Sequence, residues 1–477
     1  MKTTMLIGSL ATAGLALSIG QLSATALPGD GGTSDSQAGP DVIVGAIPDV
    51  ARYTPGTYQS VQYASYAFGS TSCNIGSTQL QWQPNPSNLH PTIPQNLYRV
   101  KNGAIEQIGL SWCKHGFCAL QQTLCGACTP AGPGSCPTVL GVGCSDPYTA
   151  SLNGQQSDLK SRGPINPSTG VFSGSYTDPA APTGLPSSLR ERVMVARADL
   201  DPAQNAGAVY VAECQYIHPD DASSGNDNNN SSYRLLTVGA TWETTRGYPL
   251  TLSGPTIQQQ PAIMAWRGVH GDVVVSPVDV TGDGRFLVGS RAIDLGNGTW
   301  RYEYAIQNLN SDRAGGSFSV PLPAGAVVTD VGFKSPKYMN GEGYTNAAWA
   351  SSVSASSVTW TCEPNTQANA NALRWSTIYN FRFTCNAGPA SGSTTLGLWK
   401  AATAGSPQAT VNATSQVPSA PPPVLGDLDG NGQVDGADLG LLLSSWGTCP
   451  GTPCPADLDT NGNVNGADLG LLLSAWG

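Results

Sequence analysis

The chain has 477 residues and a formal net charge of -10, with 11% charged residues and Gly and Pro making up close to a fifth. Soluble domains average roughly 25% charged residues and roughly 12% Gly plus Pro, so this composition argues against a long-helix or coiled-coil protein. An acidic chain with 22 basic residues also has little to offer a phosphate backbone, which excludes nucleic acid as a partner. At roughly 100–200 residues per domain, a turn-rich, mainly β protein of two to four domains is expected.

The first element is an address. Lys2 precedes an apolar run from Met5 to Ile19, and Ala24-Thr25-Ala26 is a small-residue cleavage site, so residues 1–26 are predicted to be a secretory signal peptide. The run is shorter than the ~20 residues that span a bilayer, and no later segment predicts a membrane span. A secreted, extracellular or cell-surface location follows. Twelve cysteines, an even number, fit that location as disulfides. Six of them lie between Cys113 and Cys144. Cys125-Gly126-Ala127-Cys128 also fits a zinc or redox pair, but a second pair at ribbon spacing is missing, which favours disulfide staples.

Residues 27–245 are expected to form a cysteine-stapled β-rich region, with strand-like pieces such as Ala208–Val211 between polar loops such as 223–232. Residues 246–402 predict a β-sandwich-like domain. Trp300, Tyr302, Tyr304 and Ile306 alternate with mostly polar neighbours, as do Tyr379, Phe381 and Phe383, and this period of two marks half-buried strands. Residues 403–424 carry no charge, are rich in Ala, Thr, Ser, Gln and Pro, and end in three prolines. That composition predicts a flexible linker.

Residues 425–477 are a repeat with an offset of thirty, whose copies begin at Gly426 and Ala456 and end at Gly447 and Gly477. Each copy opens with a twelve-residue loop whose alternating oxygen donors suit Ca²⁺, a hard cation that takes six to eight oxygens from a tightly curled backbone. Asp427, Asp429 and Asn431 fill positions one, three and five. Gly432 permits the turn, and Gln433 offers a carbonyl at seven. Asp435 reaches the ion at nine, through water, and Asp438 closes the loop at twelve. The second loop offers Asp457, Asp459, Asn461, Asn463, Asn465 and Asp468 in the same order. Two calcium ions are therefore expected. Val434 and Val464, at position eight, are placed to pair the two loops. The segment holds seven Asp and no Lys or Arg, so it carries most of the chain's net charge.

Asp replaces the usual Glu at position twelve, and the prolines before each loop leave no room for a preceding helix. A loop followed by a helix, duplicated after a Pro/Thr/Ser-rich stretch in an exported chain, resembles the type I dockerin family over residues 425–477. The resemblance implies a small α-helical module that binds a cohesin-like domain in calcium-dependent fashion. It further implies partner contacts at loop positions ten and eleven and along the helices. Here these are Gly436, Ala437, Leu439, Leu442 and Trp446, then Gly466, Ala467, Leu469, Leu472 and Trp476. Two near-identical surfaces imply that either repeat can dock after a half-turn of the module. Leu443 and Leu473 are expected in the core between the helices, and Cys449 and Cys454 to bridge across the inter-repeat loop.

Elsewhere the signals are sparse. Asp279 to Gly284 looks like a partial calcium loop, but position twelve is unsuitable and a polar turn is expected. His90, His115, His218 and His270 all lie in Pro- or Gly-flanked loops. Three of them could converge on a metal with Asp220 or Asp221, but the spacing matches no ligand pattern, so surface histidines are expected over a metal site. Glu213, Glu243 and Glu303 are the glutamates in strand-like settings, and no catalytic motif accompanies them. The dockerin resemblance implies a cargo that binds polysaccharide or hydrolyses O-glycosyl bonds. The alternative is a non-catalytic extracellular structural or adhesion protein that uses the calcium module for surface attachment.

Overall fold

Alternation of apolar and polar residues puts most of the chain into antiparallel strands, and the computed structural model describes residues 38–420, 424–451 and 453–477. The leader expected over 1–26 lies outside them. The protein is mainly β, as expected. Five antiparallel strands form one sheet in the order Leu250–Ile257, Ser231–Val238, Val209–Gln215, Gln95–Lys101 and Ala104–Leu110. A sandwich follows. Its first sheet runs Val274–Asp279, Arg285–Asp294, Trp300–Asn308, Thr377–Cys385 and Val328–Lys334. Its second runs Ala350–Val353, Ser357–Thr361, Gly315–Pro321, Pro389–Leu398 and Thr410–Pro418.

The sandwich core forms where the inward residues of both sheets meet. Tyr302, Tyr304, Ile306, Phe381 and Phe383 of the first sheet pack against Phe318, Val320, Trp360 and Leu396 of the second. Each such large side chain contributes roughly 1.5–3 kcal/mol by leaving water. The outward residues of that first sheet are buried as well. Leu287, Ala305 and Ile378 join Trp266 of the helix Ile263–Val269 and Tyr98, Val100 and Val211 of the five-stranded sheet. The opposite face of the five-stranded sheet, including Leu97, Tyr210 and Ala212, packs on Val42, Tyr66 and Phe68. The β layers are thus stacked, with the first sandwich sheet covered on both sides. Gly289 makes this possible, because a Cβ there would stand 2.9 Å from the Trp266 ring.

Buried polar groups lock the layers together. The Arg162 guanidinium donates to the carbonyls of Ser111, Gln95 and Ser376 and to Asn96 Oδ1, at 2.6–3.1 Å. One side chain therefore pins the first unit to the sandwich, and its charge is well hydrogen-bonded, as burial demands.

Both inner boundaries differ from the sequence reading. The division at 245/246 falls between paired strands, since Leu250–Ile257 adds to Ser231–Val238. The linker expected over 403–424 is mostly sandwich. Thr410–Pro418 pairs with Pro389–Leu398 along its whole length. Val411, Ala413, Ser415 and Val417 point inward and the residues between them mostly outward, a period of two carried by small side chains. Composition hid that period. The interval from Pro418 to the repeats is what remains as connection.

Four disulfides form: Cys73–Cys125, Cys118–Cys136, Cys128–Cys144 and Cys449–Cys454. Cys125 and Cys128 pair with different partners, so they are staples rather than a zinc or redox pair. Cys113, Cys214, Cys362 and Cys385 remain free and buried. No helix among the described residues is long and apolar enough to cross a membrane, and the disulfides fit an extracellular protein.

Candidate metal centres

The C-terminal repeats each fold as a loop and a helix, Gly436–Ser444 and Gly466–Ser474. Each helix starts in a capping box. Asp435 accepts from the Ala437 N–H at 2.8 Å while Asp438 accepts from the Asp435 N–H at 2.9 Å. Asn465 and Asp468 repeat the device. Before the cap, Gly432 and Gly462 turn the chain at φ of 88° and 87°, a conformation that favours glycine.

This curl gathers carboxylates. Oxygens of Asp427, Asp429 and Asp438 lie within 4.8 Å of one another, as do those of Asp457, Asp459 and Asp468. Each trio can hold a metal ion. Asp438 is fully buried, and its oxygens take the N–H groups of Leu428, Asp429 and Asp435. Those donors, foremost the Asp435 N–H, hold its pKa below the usual carboxylate range. For Asp468, burial pushes upward, but the N–H groups of Asn465, Asp459 and Leu458 outweigh it and the net shift is down. Both residues therefore stay ionised and aimed into their loops at neutral pH. A carboxylate offers about four lone-pair positions. Asp438 uses three on backbone N–H groups and Asp429 uses two on Asn431, so acceptor capacity remains for a cation. All-oxygen donors fit a hard divalent ion and no softer metal.

The remaining expected ligands stand further back. Asp435 and Asn465 are occupied as helix caps, which suits a position that acts through water. The side-chain amides of Asn431 and Asn461 donate to Asp429 and Asp459. Asn431 Oδ1 accepts from the Gln433 N–H and Asn461 Oδ1 from the Asn463 N–H. Val434 and Val464 share one small core with Leu442 and Leu472, yet they do not pair with each other. Val464 pairs with Gly447, and the Gly477 N–H donates to the Val434 carbonyl at 3.3 Å. Those glycines follow the opposite helices by three residues, so the two halves are exchanged by an approximate two-fold axis.

Of the expected contact residues, Gly436, Ala437, Trp446, Gly466, Ala467 and Trp476 are exposed, and Leu439 and Leu469 are half-buried. The leucine phase is shifted by one residue. Leu442 and Leu472 form the core at 0% exposure, whereas Leu443 and Leu473 are 51% exposed. Each helix therefore presents an uncovered Leu–Trp pair, Leu443 with Trp446 and Leu473 with Trp476.

The other candidate groups are structural. His90 Nε2 meets His115 Nδ1 at 2.8 Å, His90 Nδ1 faces the Gln83 carbonyl, and His115 Nε2 faces Tyr176 Oη. Both nitrogens of His218 are also engaged, with the Gln81 carbonyl and the Asp220 N–H. No lone pair is left for a metal, and the three histidines are buried rather than at the surface. Burial lowers His90 to about 4 and His115 to about 3, so both are neutral. Glu213 is buried, with Asn96, Tyr98, the Ala262 N–H and Gln307 donating to it at 2.6–2.9 Å. Glu243 pairs with Arg52 at 3.1 Å near the surface. Asp283, in the expected turn, accepts from the N–H groups of Asp312 and Arg313. Glu303 lines an open cleft. Burial raises it to about 7 against the opposing Arg301 and Arg382 charges. The cations around it escaped the sequence reading because they are scattered from Arg99 to Arg382. Their one signal is a basic residue on the polar phase of a strand, as at Arg301 and Arg382.

No family model matches this chain, and no curated protein matches it. Among solved structures, two variants of the exo-chitosanase CsxA of Amycolatopsis orientalis in complex with PNP-beta-D-glucosamine align at 10% identity, with TM-scores of 0.15 and 0.14. Each alignment covers 74% of this chain and 25% of the chitosanase chain, so this chain spans about a quarter of the length of those proteins.

Proposed function

We propose that residues 425–477 are a dockerin-type module that binds two calcium ions and attaches the β-rich body to a cohesin-like or cell-surface partner outside the cell. The observation that carries this reading is the coincidence, twice over, of a converging carboxylate trio with a helix that leaves a Leu–Trp pair uncovered. Asp427, Asp429 and Asp438 hold one ion, and Asp457, Asp459 and Asp468 the other. The Asn431, Gln433, Asp435, Asn461, Asn463 and Asn465 positions complete the two sets. Bound calcium supplies positive charge that neutralises the carboxylates and ties each loop to its helix.

The partner face is read from exposure. Gly436, Gly440, Gly466 and Gly470 meet nothing within 4 Å where a Cβ would stand. A helical glycine costs roughly 1 kcal/mol relative to alanine, and nothing inside the chain requires it at these positions. Close approach by a partner's backbone does. The approximate two-fold axis presents the same face twice, which supports docking in either orientation. Polysaccharide binding or O-glycosyl hydrolysis is the proposed role of the body, following the same resemblance.

The test is capture of cohesin-type domains by the full protein in calcium and in chelator. Calcium-dependent capture, weakened by Trp446→Ala and abolished when Trp476→Ala is added, is the expected result. Capture that is indifferent to chelator, or to the double substitution, would refute the proposal. Failure to capture any cohesin, with calcium-dependent attachment to cell surfaces retained, would favour the adhesion alternative.

A further inference from the structure

A cleft of about 390 Å³ opens where the turn at Asn102 and Gly103 leans over the outer face of the sandwich's first sheet. That volume lies within the usual range for small-molecule sites, which favour seams between units. Arg99, Lys101, Arg301, Lys334 and Arg382 reach it, against the two carboxylates of Glu106 and Glu303. The wall therefore has a formal excess of three positive charges in a chain of net charge -10.

Internal pairing does not use up this charge. Glu106 takes both Arg99 at 2.7 Å and Lys334 at 2.5 Å, and Glu303 takes Arg301 at 3.0 Å. Lys101 donates only to neutral oxygens, the Gln204 carbonyl and the Asn205 amide. The Arg382 guanidinium makes neither a hydrogen bond nor an ion pair among the described residues, although the residue faces Glu303 across paired strands. Its place is built into the sheet. Gly332 is its neighbour on the other side, and a Cβ there would stand 2.6 Å from Arg382 Nε. Glycine alone leaves room for the guanidinium to lie across that strand.

Cations alone suit any anion, but this wall also carries carboxylate acceptors. Inorganic phosphate brings charge and few donors, and Glu106 and Glu303 repel it. A ligand with one carboxylate and several hydroxyls satisfies both kinds of group. Its carboxylate matches the planar guanidinium fork, and its hydroxyls donate to the glutamates. The geometry points to a subsite for an acidic sugar of the uronic-acid class, with Arg382 and Lys101 holding the carboxylate and Glu303 accepting from a hydroxyl. This inference is independent of the calcium module.

The full protein is titrated calorimetrically with trigalacturonate, maltotriose and inorganic phosphate in separate arms. Chelator is present so that neither the repeats nor calcium–uronate complexes contribute. Trigalacturonate is expected to bind, more weakly as NaCl rises from about 50 to about 300 mM, and maltotriose is not. Arg382→Ala and Lys101→Ala, both at solvent-accessible positions, are each expected to weaken binding at least tenfold, the usual loss for a charged hydrogen bond. Preference for phosphate, equal binding of the neutral trisaccharide, no binding in any arm, or indifference to both substitutions would overturn the assignment.

Discussion

Replacing Asp429 by Asn gives opposite signs with and without a cation, which a merely polar turn does not. Asp429 and Asp427 have oxygens within 4.8 Å of each other, and residues 425–477 contain no Lys or Arg to offset them. Two unit charges at that distance repel by about 1 kcal/mol in a water-like dielectric and by about 3 kcal/mol at an effective dielectric of 20. Asp429 is exposed, so solvent screening favours the lower figure. Without metal, Asp429→Asn should therefore stabilise the first loop by about 1 kcal/mol. With metal the sign reverses. A cation at a hundred times its dissociation constant stabilises its site by about 2.7 kcal/mol, and a tenfold weaker site loses about 1.4 kcal/mol of that. Hydrogen exchange of the Gly436–Ser444 helix in the intact protein, in chelator and in calcium, reads both terms. The variant should exchange more slowly than the parent in chelator and faster in calcium. A shift in the same direction in both solutions, or a parent whose exchange ignores calcium, would refute the cation assignment.

Three further outcomes are expected. Glu213→Gln replaces a carboxylate oxygen that accepts from Ala262 and Gln307 with an N–H₂ facing the same donors. Two charge-assisted hydrogen bonds are lost, so chemical denaturation should show a destabilisation of about 3 kcal/mol or more. Thr460 holds φ of 59° where its counterpart in the first loop is Gly430 at 76°. Thr460→Gly should therefore slow exchange in the second helix by the equivalent of about 1 kcal/mol, while Gly430→Thr does the reverse to the first. For His90 and His115 the unfolded chain binds protons near the ordinary pKa of 6.5 and the folded chain only near 4 and 3. Their contribution to stability is present above about 6.5 and is lost as pH falls, by about 2 kcal/mol per histidine between pH 7 and 5. Thermal melts over that range should fall more steeply for the parent than for His115→Gln, and parallel curves would contradict the neutral pair.

What could be read from the sequence was what is encoded locally. Trp300 to Ile306 and Tyr379 to Phe383 announce their strands by a period of two, and the two carboxylate-bearing loops announce themselves by oxygen donors at alternate positions. Thr410–Pro418 has the same period, but its inward residues are Val, Ala and Ser amid Thr, Gln and Pro, so composition outweighed pattern. The run Leu441-Leu442-Leu443 fixes no helical phase by itself. Which leucine turns inward is decided by the sister repeat, thirty residues away. The Arg162 clamp, the Glu213 acceptor and the cleft are built from residues tens to hundreds of positions apart, and no local spacing carries them.

The seam between the first unit and the sandwich also has a history in time. Asn96 donates to Ser376 Oγ, Gln107 accepts from the Ile378 N–H, and Arg162 waits for the Ser376 carbonyl. A chain made from its N-terminus completes the strands Gln95–Lys101 and Ala104–Leu110 long before residue 376 exists. Until then these side chains rely on water, and the apolar face around Tyr98 and Val100 lies open. Contacts of such long range make folding slow. Assembly of this protein therefore ends at its middle layer, and a nascent chain is most exposed to aggregation just before the strand Thr377–Cys385 slots into place.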